Sequence, residues 1–585
     1  MTGEQNSGPA AGGGIAAPVT VLSVVVGGGL LWVGTWLGGT LGAALGGGGW
    51  APPSPSIASL VRLLKGGPSA LWPAAPTGAM VGALVVVALA LVAVVVAGVW
   101  AWRRFRRPTG LAANNSAMAP LMPAAAIERA RQLRPSLTAV KEIAPQDRGV
   151  LLGELEPTGP ELRGSDEDTY TAVMAPRAGK TTSLAVPSLL EAPGPALLTS
   201  NKSDAFTLTR RAREQVGTPW TMDLQSVAYA PRELWWDMIA SARSIEGATR
   251  LAGHFVNASA DTKAADDFWG KAGANTLVAL FHAAALSGGT VLDVLRWLDT
   301  PTDRAPINAL KAHNPALASR LAATVSGAVE TRDGIYETAR QATSCLLDPA
   351  ISAWVMPDKT REEFKPYDFA TSKDTLYLLS KDGGGSAAAI TAAAADVVLR
   401  AAIMAAERNG GRLDVPMRAI LDEAANVCRI GDLPALYSHL GSRGITPETI
   451  LQSYRQGAKV WGEPGMDALW GASTVKLLGA GIDDATMAEN ISKLIGKHKV
   501  RETSQSHSAS GHSTTYSRRE EEIMQAATVR ALPRGRALLW ATGTPIAMVK
   551  LRPWYQEPYA DQITADNAAE QRALTERANA TEVIV

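Results

Sequence analysis

Thr169–Pro187 reads TYTAVMAPRAGKTTSLAVP, and its order decides the fold. An apolar, β-prone run from Tyr170 to Met174 enters a short Pro/Gly loop. The loop closes on Gly179-Lys180-Thr181 and continues into a segment compatible with a helix. Strand, Gly-Lys-Thr turn and helix are the parts of a phosphate-binding loop. Backbone N–H groups converge on the turn, the helix N-terminus adds its positive dipole end, and a lysine reaches the outer phosphates. Ala175, Pro176, Arg177, Ala178, Gly179, Lys180, Thr181 and Thr182 are therefore the expected nucleotide-binding residues, and the Thr181 hydroxyl is an expected Mg²⁺ ligand. The glycine expected five residues before Gly179 is Met174, whose Cβ is expected to crowd the turn.

A phosphate loop needs a carboxylate at the end of a neighbouring strand. Met417–Glu423 (MRAILDE) is an apolar strand that ends in two. Asp422 is placed to hold Mg²⁺ through water, and Glu423 to polarise the water that attacks the γ-phosphate, because in-line displacement depends on positioning. Gln452 ends a further strand (TILQS) and is placed to sense that phosphate. ATP and Mg²⁺ are the cofactors this set implies.

Around this core, Pro195–Lys202 and Pro219–Leu224 read as buried strands. Together with the loop they begin a parallel α/β sheet. From about 241 to 357 the pattern turns Ala-rich and helical, with Phe268, Trp269, Leu277, Leu280 and Phe281 at helical spacing and expected in its core. Strand signals return at 374–380, 417–423, 449–453 and 474–480, and 537–554 suits a closing hairpin. Residues 503–517, with His507 and His512, read as a mobile surface loop without enough ligands for a metal. A polar tail, 556–585, ends the chain.

The first quarter has another character. Residues 1–18 suit a disordered tail. Two uncharged apolar runs, about 19–45 and 78–102, are each long enough to cross a bilayer. Gly34, Gly38 and Gly42 give the first a small-residue face. The loop between them, 46–77, is expected outside. Trp100, Trp102 and the arginines Arg103, Arg104, Arg106 and Arg107 outweigh Arg62 and Lys65, so both ends of the chain are expected in the cytoplasm. Residues 108–148 form a linker and a helix near 125–142. A net charge of +1 gives no global basic field. The two cysteines, Cys345 and Cys428, allow no disulfide framework and suit a reducing compartment.

These features resemble the type IV coupling proteins, the TraD/TraG-type ATPases of conjugative DNA transfer. The resemblance runs from the two apolar spans to about residue 555. It rests on APRAGKT, TSNKSD, the Phe268-Trp269 pair, KDTLYLLS, ILDEAANVCRIGDLPALYSHLGSRGI over 420–445, ILQS and AENISKLIGKHKV. Ala424 stands where the family usually has an aromatic residue, and Gly431 where it has proline. The resemblance implies a RecA-like motor (149–240 and 358–555) with an all-α domain at 241–357. It further implies a homo-hexamer on the inner membrane that receives relaxase-bound single-stranded DNA and feeds it to a type IV secretion channel. It makes Arg443 the finger that reaches a neighbour's nucleotide, alongside Lys180, Glu423 and Gln452 as catalytic residues. Three other functions fit the same residues: a coupling ATPase for protein effectors, a septal-translocase-type double-stranded DNA pump, and a docking scaffold with little hydrolysis. The pump is disfavoured, since the stretch after Tyr555 is short for a winged-helix reader.

Overall fold

The computed structural model describes chiefly residues 35–73, 115–259, 268–382, 387–508 and 511–581. The chain divides into two compact units, Met1–Pro108 and Thr109–Val585.

In the first unit residues 35–43 are helical and end in a wider turn, Ala44–Gly48. Trp72 is buried against this helix at Gly39, where a Cβ would lie 2.3 Å from the indole. The stretch read as an open loop contains a helix, Ile57–Gly66, started by Ser56, whose side chain accepts from the Ser59 N–H. Most of the two expected membrane spans lies outside the described residues.

The second unit is built on an 11-stranded sheet. Its strands are β1 (Val150–Leu155), β2 (Glu161–Gly164), β3 (Tyr170–Val173), β4 (Ala196–Ser200), β5 (Pro219–Asp223) and β6 (Thr375–Leu379). They continue with β7 (Met417–Asp422), β8 (Ile445–Leu451), β9 (Val475–Gly479), β10 (Arg536–Ala541) and β11 (Ala547–Lys550). The spatial order is β2-β1-β11-β10-β9-β3-β8-β7-β4-β6-β5. From β9 to β5 every neighbour is parallel. From β9 outward through β10, β11, β1 and β2 every neighbour is antiparallel. The central strands are covered on both faces, which is why they are nearly unbroken apolar runs. Helix Ala388–Arg408 is the one described helix long and apolar enough to cross a membrane, but 78% of that stretch is buried, and it is a core helix.

Between β5 and β6 the chain runs through helices that include Ile245–Ser259, Phe268–Ser287 and Val329–Ala342. Leu277, Leu280 and Phe281 are fully buried there, as expected from their spacing. Phe268 and Trp269 are not in the core: they are 62% and 42% exposed. They open the helix, where Trp269 lies over Gly334. Three other readings also change. The helix near 125–142 is Pro123–Leu133, because Arg134 turns extended before Pro135. Residues 497–508 and 511–522 pair as a two-stranded antiparallel ribbon instead of a loop, in a register that sets His507 opposite His512. The polar stretch after 556 forms the helix Ala560–Ala580, which buries only Ile563 and Glu570 and so needed little apolar sequence. Glu570 accepts there from Arg211 and Arg577.

Candidate nucleotide site

All but one of the expected catalytic residues follow the carboxyl ends of neighbouring parallel strands, the edge where open α/β sheets bind ligands. The loop after β3 takes its unusual backbone angles at Arg177 (φ 63) and Gly179 (φ 98). The Ser183 N–H closes on the Gly179 carbonyl at 2.9 Å. The next turn, Thr181–Ala185, is wider than an α-helix, and the Val186 N–H donates to the Thr181 carbonyl. Pro187 accounts for this widening, since it has no N–H to give the Ser183 carbonyl.

Met174 does not crowd the loop. It is not among the positive-φ residues, and its side chain is fully buried in the core below. Gly479 at the end of β9 makes the space: a Cβ there would lie 2.5 Å from Met174 Cγ. The glycine missing from the loop is replaced by a glycine on the adjacent strand.

Lys180 and Glu423 form a buried ion pair, Nζ to Oε1 3.0 Å. Gln452 Nε2 donates to the other oxygen, Oε2, at 2.7 Å. The Thr181 hydroxyl donates to Asp422 Oδ2 at 3.4 Å. Asp422 Oδ1 is buried and has no hydrogen-bond partner. Burial, and then the Glu423 charge beside it, push the Asp422 carboxyl up to about 6. An orphaned carboxylate oxygen beside a threonine hydroxyl is a donor set suited to Mg²⁺, which takes oxygen ligands and one or two carboxylates. Asp422 and Thr181 therefore fit the metal.

Arg443 does not join this cluster. It ends the turn Gly441–Arg443 ahead of β8, whereas Gln452 follows β8. Seven residues of strand at about 3.3 Å each put it roughly 20–25 Å away, at the opposite edge of the sheet. It donates to the His439 carbonyl at 3.1 Å and lies 3.6 Å from Glu407.

The structure adds residues that the sequence reading passed over. Asn426 Nδ2 reaches Glu423 Oε2 at 3.3 Å and Asp382 Oδ2 at 3.4 Å. Asn201 Nδ2 donates to the same Asp382 oxygen at 2.7 Å, and Gln456 Nε2 donates to Asn426 Oδ1 at 2.7 Å. Asn426 and Gln456 begin the segments that follow Glu423 and Gln452, three and four residues on, where the turn out of each strand folds them back onto the site. Asp382 and Asn201 meet only because β7, β4 and β6 are neighbours.

Residues 416–534 match the family model described as the TraM recognition site of TraD and TraG. That segment spans β7 to the ribbon and includes Asp422, Glu423, Arg443 and Gln452. No curated protein sequence matches the chain. Among solved structures, the unbound monoclinic form of the bacterial conjugative coupling protein TrwBdeltaN70 is similar, at 18% identity and a TM-score of 0.53, over 74% of this chain and 92% of that one. The plasmid coupling protein TrwB in complex with ADP and Mg²⁺ matches at 17% identity and a TM-score of 0.52, over 73% and 92%. TrwB with a non-hydrolysable ATP analogue matches at 18% and 0.52, over the same shares. At these identities the likeness is one of fold, shared over 92% of each of those solved chains. Residues 416–534, matched to the TraD and TraG model and set in a TrwB-like fold, bear out the resemblance to the type IV coupling proteins of the TraD/TraG kind.

Proposed function

We propose that this chain is a membrane-anchored, ATP-hydrolysing coupling protein that recruits relaxase-bound single-stranded DNA and drives it into a type IV secretion channel. One observation carries the reading: Lys180, Thr181, Asp422, Glu423 and Gln452 meet at one edge of the sheet in hydrogen-bonding contact. In the described state Lys180 is held by Glu423. ATP gives the ammonium a stronger partner, so its arrival frees Glu423 Oε1. Glu423 then orients a water toward the γ-phosphate and takes its proton, while Gln452 holds Oε2. Mg²⁺ held by Thr181 and Asp422 supplies charge neutralisation at the phosphates. The TrwB complexes with ADP and Mg²⁺ and with an ATP analogue support nucleotide and Mg²⁺ binding.

Two features support anchoring and assembly. Val85, Val86, Leu89 and Val92, within the second apolar run, are 53–65% exposed, and 85, 89 and 92 share a helical face that suits lipid. Arg443 is too far from its own site to act there, so a homo-hexamer gives it a role at the neighbour's nucleotide.

Transfer of marked DNA between cells tests the reading. Deleting the protein should abolish transfer, and Lys180→Ala in its place should not restore it. Undiminished DNA transfer with loss of an exported protein would favour the protein-effector role instead.

A further inference from the structure

Glu423 sits in the left-handed region, at φ 55 and ψ 37. A residue with a side chain holds that conformation only where its surroundings over-determine it. Here the surroundings are a closed ring of amides. Gln452 Nε2 donates to Glu423 Oε2 at 2.7 Å, and the Gln452 backbone N–H donates to Gln456 Oε1 at 3.1 Å. Gln456 Nε2 donates to Asn426 Oδ1 at 2.7 Å, and Asn426 Nδ2 returns to Glu423 Oε2 at 3.3 Å. Both side-chain amides are fixed in orientation by this pattern. A flipped Gln456 would set its NH₂ against the Gln452 N–H and its oxygen against Asn426 Oδ1. The second acceptor of Asn426, Asp382, is itself held by Asn201 at 2.7 Å. The ring therefore stands on the ends of β7 and β8, with a tie to the residues after β6 and β4.

We propose that Asn426 and Gln456 are positioning residues of the hydrolytic reaction. They keep the Glu423 carboxylate in its left-handed setting after Lys180 has moved to the phosphates. Lys180 binds Oε1 and the ring binds Oε2. The two grips are on different oxygens, so the nucleotide can take one without disturbing the other. Among the described residues, the side-chain hydrogen bonds of Asn426 and Gln456 run to Glu423, Asp382, the Gln452 N–H and each other, and not to residues 175–182, so their removal should leave phosphate binding in place. The inference rests on the reading of Glu423 as the residue that activates water.

The test uses the full-length chain, Mg-ATP turnover and equilibrium binding of a fluorescent ATP analogue. Asn426→Ala and Gln456→Ala should each lower kcat roughly 10–100-fold, the range of a misplaced general base, with KM and analogue affinity within about twofold. The double variant should be no slower than the slower single one, because the two act through one another. Asn426→Asp, nearly isosteric, should preserve folding and lose kcat in the same way, since it removes the donor. Single variants at the wild-type rate, multiplicative losses in the double variant, or affinity falling in step with kcat would each overturn the assignment. A wild-type chain that binds the analogue without hydrolysing ATP would overturn the hydrolytic reading, and this inference with it.

Discussion

Replacing Met174 by glycine restores the residue usual in the loop, and the structure says it should harm the protein without helping the nucleotide. Met174 is fully buried, its N–H donates to the Leu451 carbonyl at 3.0 Å, and its side chain fills the space above Gly479. Truncating a buried methionine to alanine costs about 2–5 kcal/mol, and a further step to glycine adds about 0.5–1 kcal/mol of backbone entropy. Met174→Gly should therefore lose about 2.5–6 kcal/mol of stability in denaturant titration. Nucleotide affinity per folded molecule should change by less than about twofold, because the positive φ angles belong to Arg177 and Gly179. The converse change, Gly479→Ala, places a Cβ 2.5 Å from Met174 Cγ and should cost about 1–3 kcal/mol by overpacking. In the Met174→Gly background that second cost should vanish, giving a favourable coupling in the double-mutant cycle. A large gain in nucleotide affinity with unchanged stability would refute the argument. It would mean that Met174 acts on the loop and not in the core.

Mixing Arg443→Ala subunits with Lys180→Ala subunits should restore ATPase activity that neither has alone. Mixed rings contain interfaces where an intact nucleotide site faces an intact arginine, and failure in demonstrably mixed oligomers would remove Arg443 from any role in trans. Glu448 lies buried between Ser188 and Arg418, and burial pushes its carboxyl up to about 7 from 4.5. The folded state then holds that proton more tightly than the unfolded chain. Its contribution is full below about pH 4.5 and is lost as pH rises through 7, up to about 3 kcal/mol at ~1.4 per unit. Glu448→Gln should flatten the stability–pH curve across that window, and an unchanged slope would refute the assignment. Cysteines introduced at residues 5 and 580 should resist an impermeant reagent added outside intact cells, since the arginines from 103 to 107 follow the second apolar run.

The nucleotide site was legible where local sequence carries its geometry. Lys180, Asp422, Glu423 and Gln452 each come at or just beyond the end of an apolar run, and a parallel sheet brings such ends to one edge. The same logic could have separated Arg443 from them, because it precedes its strand. What escaped depends on partners remote in sequence. Arg418 is fully buried in β7, paired with Asp166 at 3.1 Å, and nothing in MRAILD marks it as an interior charge. Gly479 explains Met174 only once β9 is known to lie beside β3. Phe268 and Trp269 share the helical period of Leu277 and Phe281 but sit in the first turn, where periodicity does not say whether a neighbour covers them. The ribbon escaped because polar, Ser-rich strands carry no alternating apolar signal.

The central claim is that Glu423, freed from Lys180, activates water at the γ-phosphate. Mg-ATP turnover and analogue binding of Glu423→Gln, measured beside the wild type, test it most directly. The substitution keeps shape and removes the base. Nucleotide binding should be nearly unchanged, with hydrolysis slowed by about two orders of magnitude or more. Hydrolysis by the Gln variant at the wild-type rate would contradict it.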